Sequence, residues 1–407
     1  MDTAGSISGC NHSAGQVATA DRLRLSVVIV TYRRIDALAS CLQSVMTPDL
    51  PEDAQVIVAC NGPDPASQEF LAAFAIRDKR LEVVVLDAQS PAGARNAALR
   101  RVRGDVIHFL DDDVTVEPGL FARALRTFAA QPEIGVIGGP NLTPRESSRF
   151  QRCVGQVLES PLGSATVRYR YHRGGEVRRA DDRSLILCNL AIRRSELSKL
   201  NSAFQESVIC NEENILLYEL AALGTGMLHD PGLAVYHRRR SDLAAFCRQV
   251  FRYGQGRWQN TVAWPRSLSP VFLIPALFLF YLVTLAFVRT TTYLMPLAAY
   301  LALVLGFSII EAVRARDVTT VPLFMVLFPA CHGSYGAGFL RQLGESSLRA
   351  LASRLTLLRS SSRNHASRIE LGQSYSSSAD RREGMNTGLI RESSPPTGEE
   401  RGSAINP

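Results

Sequence analysis

The sequence predicts an α/β domain built on a mostly parallel sheet, followed by a membrane-embedded helical region. Three observations lead there. Apolar, β-branched runs of strand length alternate with segments of helical period between residues 24 and 240. Two long stretches, 271–288 and 293–310, carry no charged residue. Finally, Asp111, Asp112 and Asp113 stand together at the end of an apolar run, the place where ligands gather in open parallel sheets.

The elements follow in order. "LSVVIV" (25–30) and "AQVIVAC" (54–60) read as buried strands, and residues 35–46 between them have helical spacing. Residues 81–87 make a third strand, 91–102 a helix and "DVIHFLDDD" (105–113) a fourth strand. Residues 119–131 are helical, and "IGVIGGP" (134–140) returns to strand. Such alternation implies helices on both faces of the sheet. Residues 1–23 lack the basic and apolar segments of a signal peptide and are expected to be a flexible leader. A catalytic domain is expected over 24–240, an amphipathic interfacial segment over 241–266 and a membrane region over 267–340. Residues 341–407 form a basic tail with little apolar material, expected to be largely disordered.

Charge sets the topology of the membrane region. Arg238, Arg239, Arg240, Arg248, Arg252, Arg257 and Arg266 precede the first apolar stretch, and Arg314 and Arg316 follow the second. Only Arg289 lies in the turn between them. The two stretches therefore read as a helical hairpin of a multi-pass protein of the inner (cytoplasmic) membrane, with the N-terminal domain in the cytoplasm. A third apolar segment, 318–340, is interrupted by prolines, glycines and His332. A full crossing there would put the arginine-rich tail outside, so a re-entrant or interfacial placement is the alternative.

Composition narrows the partners. The chain has 407 residues, 46% hydrophobic and 20% charged, with a formal charge of +7. A basic excess suits membrane lipids or phosphorylated substrates. No zinc-finger spacing, RNP-like motif or lysine tract points to nucleic acid. The eight cysteines form no CxxC pair and read as reduced, mostly buried thiols facing the cytosol.

Adjacent acids at a strand end suit a divalent cation. Residues i and i+2 of an extended chain point the same way, so Asp111 and Asp113 can share a face. Hard oxygen ligands favour Mg²⁺ or Mn²⁺, which usually keep substrate phosphates as further ligands. A cation carrying a diphosphate would relieve the mutual repulsion of the aspartates and stabilise a phosphate leaving group. Deprotonating an attacking group calls for another carboxylate. Glu212 and Glu213 open an apolar-faced helix over 210–224, and either can be the general base.

Taken together, "VVIVTYRR" (27–34), "SPAGARNAAL" (90–99), "FLDDDV" (109–114), "LILCNLAIRR" (185–194) and "NEEN" (211–214) resemble, in content and order, the inverting glycosyltransferases of family two with the GT-A fold. With "HGSYGAGFL" (332–340), the chain is similar to membrane-associated members that build bacterial exopolysaccharides of the succinoglycan type. The resemblance covers residues 24 to about 340. It implies sugar transfer from a nucleoside diphosphate sugar, a UDP- or GDP-sugar, to a lipid-linked or membrane-proximal glycan acceptor.

Carried over, it places Thr31, Arg33, Asn61 and Arg95 at the nucleotide sugar, with Asp111 and Asp112 facing it. Asp113, with Asp111 and His237, would hold the metal; Glu213 would be the base and Glu212 its acidic neighbour. "QVFRY" (249–253) is similar to the QxxRW motif of polysaccharide synthases, so Gln249 and Arg252, on one helix face, would grip diphosphate. Two positions depart from the pattern: Cys60 and Asn61 stand where an acid usually reads the base, with Asp64 slightly later, and Glu213 replaces aspartate. A catalytically silent scaffold of the same fold and a sugar nucleotidyltransferase are the other classes, although the latter generally needs a glycine-rich loop that this chain lacks.

Overall fold

The β-branched runs of the N-terminal half pair into one sheet in the computed structural model, which describes residues 23–288 and 290–379. The parallel part comprises β1 (Leu25–Thr31), β2 (Gln55–Asn61), β3 (Leu81–Leu86) and β4 (Val106–Asp111). Farther along the sheet lie β6 (Ile134–Gly138), β8 (Arg178–Arg179), β9 (Asn189–Arg193) and β10 (Gly226–His229). The order among these eight described strands is β3-β2-β1-β4-β9-β6-β10-β8. β9 runs antiparallel between β4 and β6, and β8 is antiparallel at the edge. A second small sheet joins β5 (Val114–Val116), β11 (Val235–His237) and β7 (Asn141–Leu142) in the order β5-β11-β7.

Side-chain alternation along the strands explains the layers. Val27 and Ile29 of β1 with Val56 and Val58 of β2 pack under Leu38 and Leu42 of α1 (Ile35–Val45) and Phe121 and Phe128 of α4 (Leu120–Ala130). The intervening Val28 and Ile57 face the other way, toward Ala98 of α3 (Pro91–Leu99) and Leu216 of α8 (Glu212–Ala222). Local signals fix the helix starts. Asp64 caps α2 (Pro65–Arg77), and Ser90 caps α3, accepting from Gly93 N with Pro91 in the first turn. The strand β9 was quoted within a motif but not expected as a strand. Its residues are almost all buried, so no period-two pattern marks it.

The C-terminal helices are docked onto this domain. Cys153, Val154 and Val157 of α5 (Arg149–Glu159) share a core with Phe246 and Val250 of α9 (Leu243–Ala263). The same core takes in Val304 and Ala312 of α11 (Met295–Arg314) and Phe324, Leu327 and Phe328 of α12 (Val321–Ala379). Two short helices, α6 (Pro161–Ser164) and α7 (Arg194–Leu197), lie in the connections. Glycines let α9 and α12 meet backbone to backbone: a Cβ on Gly338 would stand 1.9 Å from the Phe251 carbonyl oxygen.

The membrane region differs from the expected hairpin. The first apolar run is helical only as α10 (Pro270–Thr284), about 22 Å long against roughly 30 Å of hydrocarbon. Tyr281 closes the hairpin early, its hydroxyl donating to the Tyr293 carbonyl at 2.7 Å. The helices long and apolar enough to cross are Thr291–Arg314 and Val318–Arg354. The third segment is thus an unbroken helix through Pro329 and not an interrupted one. That helix continues to Ala379, so the part of the expected disordered tail from 341 to 379 is helical; a helix satisfies its backbone groups without needing a core. The leader up to residue 22, Arg289 and the tail from 380 lie outside the described residues. Of the arginines counted before the first run, Arg239 and Arg257 are buried in the protein and do not face headgroups. Arg239 donates to Asn141 and Thr143, while Arg257 lies over the Phe272 ring and 3.9 Å from Asp182.

Burial also sets a pH dependence. His108 in β4 is buried, with Nε2 3.0 Å from Asn189 Oδ1 and its ring edge-on to Phe121. Desolvation pushes its pKa down to about 4. The unfolded chain takes up this proton near pH 6.5, the folded chain only near 4, so the stability is full above 6.5 and falls as pH drops toward 4. Thermal unfolding of the purified protein between pH 7 and 4 should lose stability by up to about 1.4 kcal/mol per pH unit from this group. His108→Gln should flatten that slope; an unchanged slope would show that His108 does not resist protonation.

Candidate active site

Strand register assembles the site. β1 and β4 pair in parallel with Val30 opposite Asp111, so both strands end at one level. Thr31 Oγ1 there donates to Asp112 Oδ2 at 2.8 Å. Asp112 and Asp113 form the turn into β5, and β5 pairs antiparallel with β11, Val114 opposite His237. That pairing sets His237 Nε2 3.0 Å from Asp113 Oδ1. Arg34, just beyond β1, donates to Asp112 Oδ1 at 3.1 Å and Asp113 Oδ2 at 2.8 Å. Arg95 of α3 bridges Asp111 Oδ1 at 3.0 Å and Glu212 Oε1 at 2.5 Å.

The three aspartates are therefore not equivalent. Burial and the neighbouring Asp113 push Asp112 up to about 6, against the opposing effect of Arg34. Burial works the same way on Asp113, but His237, Arg34 and Arg240 overcome it and hold that carboxyl well below the usual range. The ligand atoms of Asp111, Asp113 and His237 all lie within 4.8 Å of one another. Asp113 Oδ1 is buried and makes no well-aligned hydrogen bond, even to the His237 nitrogen beside it. Two carboxylates and an imidazole whose lone pairs converge in this way could hold a divalent cation.

The second pair of acids arrives on α8. Asn211, in the left-handed conformation (φ 60°), turns the chain into the helix, and successive side chains then diverge. Glu212 meets Arg95, whereas Glu213 meets Arg170 Nη1 at 3.0 Å. Burial raises the Glu213 pKa, and Arg170 opposes that rise. The loop leading into α8 is fixed along α9. Gln259 Oε1 accepts from Ile209 N at 2.9 Å, and Asn260 Nδ2 donates to the Asn211 carbonyl at 3.1 Å. A Cβ on Gly256 would lie 2.5 Å from the Cys210 carbonyl oxygen.

Of the residues singled out from sequence, Thr31, Arg95, Asp111, Asp112, Asp113, His237 and Glu212 thus form one connected cluster, while Glu213, next to Glu212 on α8, pairs with Arg170 outside it. Others stand elsewhere. Arg33 has a left-handed backbone (φ 54°), its guanidinium lies over the exposed Tyr32 ring, and its N–H donates to Asp64. The following residue, Arg34, reaches the aspartates in its place. The Asn61 side chain meets the Gln89 backbone at both ends, at 2.9 and 3.0 Å, which braces the loop before α3. Asp64 is engaged as the α2 cap. Gln249 donates to the Tyr253 hydroxyl, and Arg252 is exposed on α9, whose backbone at 252 accepts from Cys210 Sγ. Arg34 and Arg170 were missed. The first is adjacent to a chosen residue, and the second sits among several arginines with no motif around it.

Comparison with known proteins agrees with this geometry. Residues 26–197 match the family model described as Glycosyl transferase family 2. The succinoglycan biosynthesis protein ExoM of Rhizobium meliloti is 26% identical over 252 residues, 58% of this chain and 74% of ExoM. ExoO of the same organism is 25% identical over 55% of this chain and 63% of ExoO. A putative glycosyltransferase, EpsH of Bacillus subtilis, is 24% identical over 27% of this chain and 32% of its own length. The matches thus span less than two thirds of EpsH and of ExoO. Among solved structures, a mannosyltransferase from Pyrobaculum calidifontis, in complex with GDP-Man and Mn²⁺, superposes with a TM-score of 0.54 at 17% identity. That superposition covers 79% of this chain and 87% of the other, and it identifies the fold as GT-A-like. Residues 26–197 therefore form a Glycosyl transferase family 2 domain, which supplies β1, β4 and the three aspartates, while His237 on β11 joins them from beyond it.

Proposed function

We propose that the protein is an inverting, metal-dependent glycosyltransferase of exopolysaccharide or cell-surface glycan synthesis, moving a sugar from a nucleoside diphosphate sugar to a lipid-linked or membrane-proximal glycan. The observation that carries this reading is the convergence of Asp111, Asp113 and His237 beside two buried acids on α8. A divalent cation held by those three residues, Mg²⁺ or Mn²⁺, would neutralise charge developing on the departing diphosphate. The Mn²⁺ and GDP-mannose of the P. calidifontis structure support a cation and a nucleotide sugar as ligands here.

The remaining roles belong to the chain's own groups. Thr31 and Arg34 fix the Asp112–Asp113 turn, and Arg95 holds Asp111 and Glu212 in register. Glu213 accepts the acceptor proton through Oε2, since Arg170 occupies Oε1. Its raised pKa makes it a stronger base than an exposed glutamate. Exposed apolar side chains such as Leu277, Phe280, Leu301 and Leu305 on α10 and α11 support membrane association, with the acceptor presented at the bilayer surface. The arginines before α10 support a cytoplasmic catalytic domain in the inner membrane.

Two experiments test the reading. The detergent-purified protein, given Mn²⁺, native membranes and a panel of UDP- and GDP-sugars, should release nucleoside diphosphate as label enters lipid or polymer. Release of pyrophosphate would instead make it a nucleotidyltransferase. Glu213→Gln should cut turnover by about 10²–10⁴-fold, the usual contribution of a general base. Separately, calorimetric titration of Mn²⁺ in the presence of UDP or GDP should show affinity reduced at least about tenfold in Asp113→Ala and His237→Ala. Unchanged affinity in both would remove these residues from the metal site.

A further inference from the structure

Arg170 is 5% exposed and lies in the turn of 3-10 helix Ala165–Arg170, outside every motif of the chain. Its guanidinium is held on several sides. Nη1 donates to Glu213 Oε1 at 3.0 Å, and Nη2 donates to Asn214 Oδ1 at 2.6 Å and to the Asp182 carbonyl. Asp182 is itself fixed, since Tyr218 OH donates to its Oδ2 at 2.7 Å and Arg257 stands 3.9 Å away. A planar fork bound at several points has little freedom to follow a moving partner. Glu213 therefore has Oε1 pinned in a fixed direction, which orients the carboxylate as a whole.

We propose that Arg170 is the positioning residue of Glu213, setting both the orientation of its carboxylate and the pH at which it becomes a base. The inference rests on the reading of Glu213 as the general base. Two adjacent acids entering one helix would otherwise be interchangeable. Here each has its own arginine, Arg95 for Glu212 and Arg170 for Glu213, so the pair is split into two fixed orientations. The charged and titratable groups facing Glu213 are Arg170 and Tyr171 from the 3-10 turn and its end, Glu212 on α8 itself, Arg95 from α3 and Cys210 from the loop before α8. Arg170 is the cation in direct contact with it. Removing that cation leaves burial and Glu212 to push the Glu213 pKa further up.

The test uses the full-length protein in detergent, with the nucleotide sugar that turns over, and compares wild type, Arg170→Gln, Arg170→Lys and Glu213→Gln. In Arg170→Gln, kcat should fall at least about tenfold, and the acidic limb of the pH profile of kcat should move upward by about one unit or more. Affinity for UDP or GDP with Mn²⁺ should stay within about twofold, because Arg170 touches neither the aspartates nor His237. Arg170→Lys keeps the charge but loses the fork, so it should restore the acidic limb and only part of kcat. It also serves as the measurable variant if Arg170→Gln does not fold. An acidic limb that stays in place in Arg170→Gln, whether or not kcat falls, or an undiminished kcat in Arg170→Lys, overturns the proposal and leaves Arg170 a structural residue. Full activity in Glu213→Gln would instead overturn the base assignment on which the proposal stands.

Discussion

Three carboxylates in consecutive positions at the end of the interior strand β4 are the constraint around which this structure is arranged. Two like charges about 4 Å apart repel by about 4 kcal/mol in surroundings of intermediate polarity, and burial increases the cost. The fold answers with partners from three separate elements: the cations Arg34, just beyond β1, and Arg95 of α3, and the His237 imidazole of β11. Each is delivered by register or capping, not by sequence proximity, so the cluster exists only when the sheet is complete. The compensation is also uneven: Asp112 is pushed up to about 6, whereas Asp113 is held well below the usual carboxylate range with its Oδ1 short of an aligned donor.

The same logic extends to the acids on α8. Their loop is bonded along α9, and α9 meets α12 through Gly254 and Gly338, where any side chain would strike a carbonyl of the other helix. A continuous set of contacts therefore joins the α8 acids to a helix long and apolar enough to cross a membrane. In this arrangement the apolar C-terminal region is part of the scaffold of the site as well as a candidate anchor, because its core includes α5 of the catalytic domain.

How much of this was legible in the sequence depends on whether the signal was local. The parallel strands, the helices between them and the aspartate turn were readable because each has its own periodicity or composition. Strand β9 was not, because burial on both sides erases alternation, and its antiparallel insertion depends on partners about 55 to 85 residues away. Thr31, Arg95, His237 and the α8 acids were found through motifs. Arg33 was chosen where Arg34 does the work, since only the left-handed backbone at 33 reveals which of two adjacent arginines turns inward. The brace that Asn61 makes to the Gln89 backbone, 28 residues away, had no local signal either. Arg170 had no local signal at all, its partner lying 43 residues away. Hydropathy found the apolar runs, the second of which lies within Thr291–Arg314, but the end of α10 at Thr284 and the Tyr281–Tyr293 contact beyond it are not marked in composition.

The central claim is that one cation-binding point, built by the β4–β5 turn and β11, also receives the diphosphate of the donor. Pulsed electron paramagnetic resonance of Mn²⁺ bound to the full-length protein with UDP or GDP measures this directly. Couplings from one imidazole nitrogen and from phosphorus on the same Mn²⁺, with the nitrogen coupling lost in His237→Ala, are the expected result. A Mn²⁺ spectrum with phosphorus coupling alone in the wild-type protein would place the cation on the nucleotide and away from His237, contradicting the site assembled here.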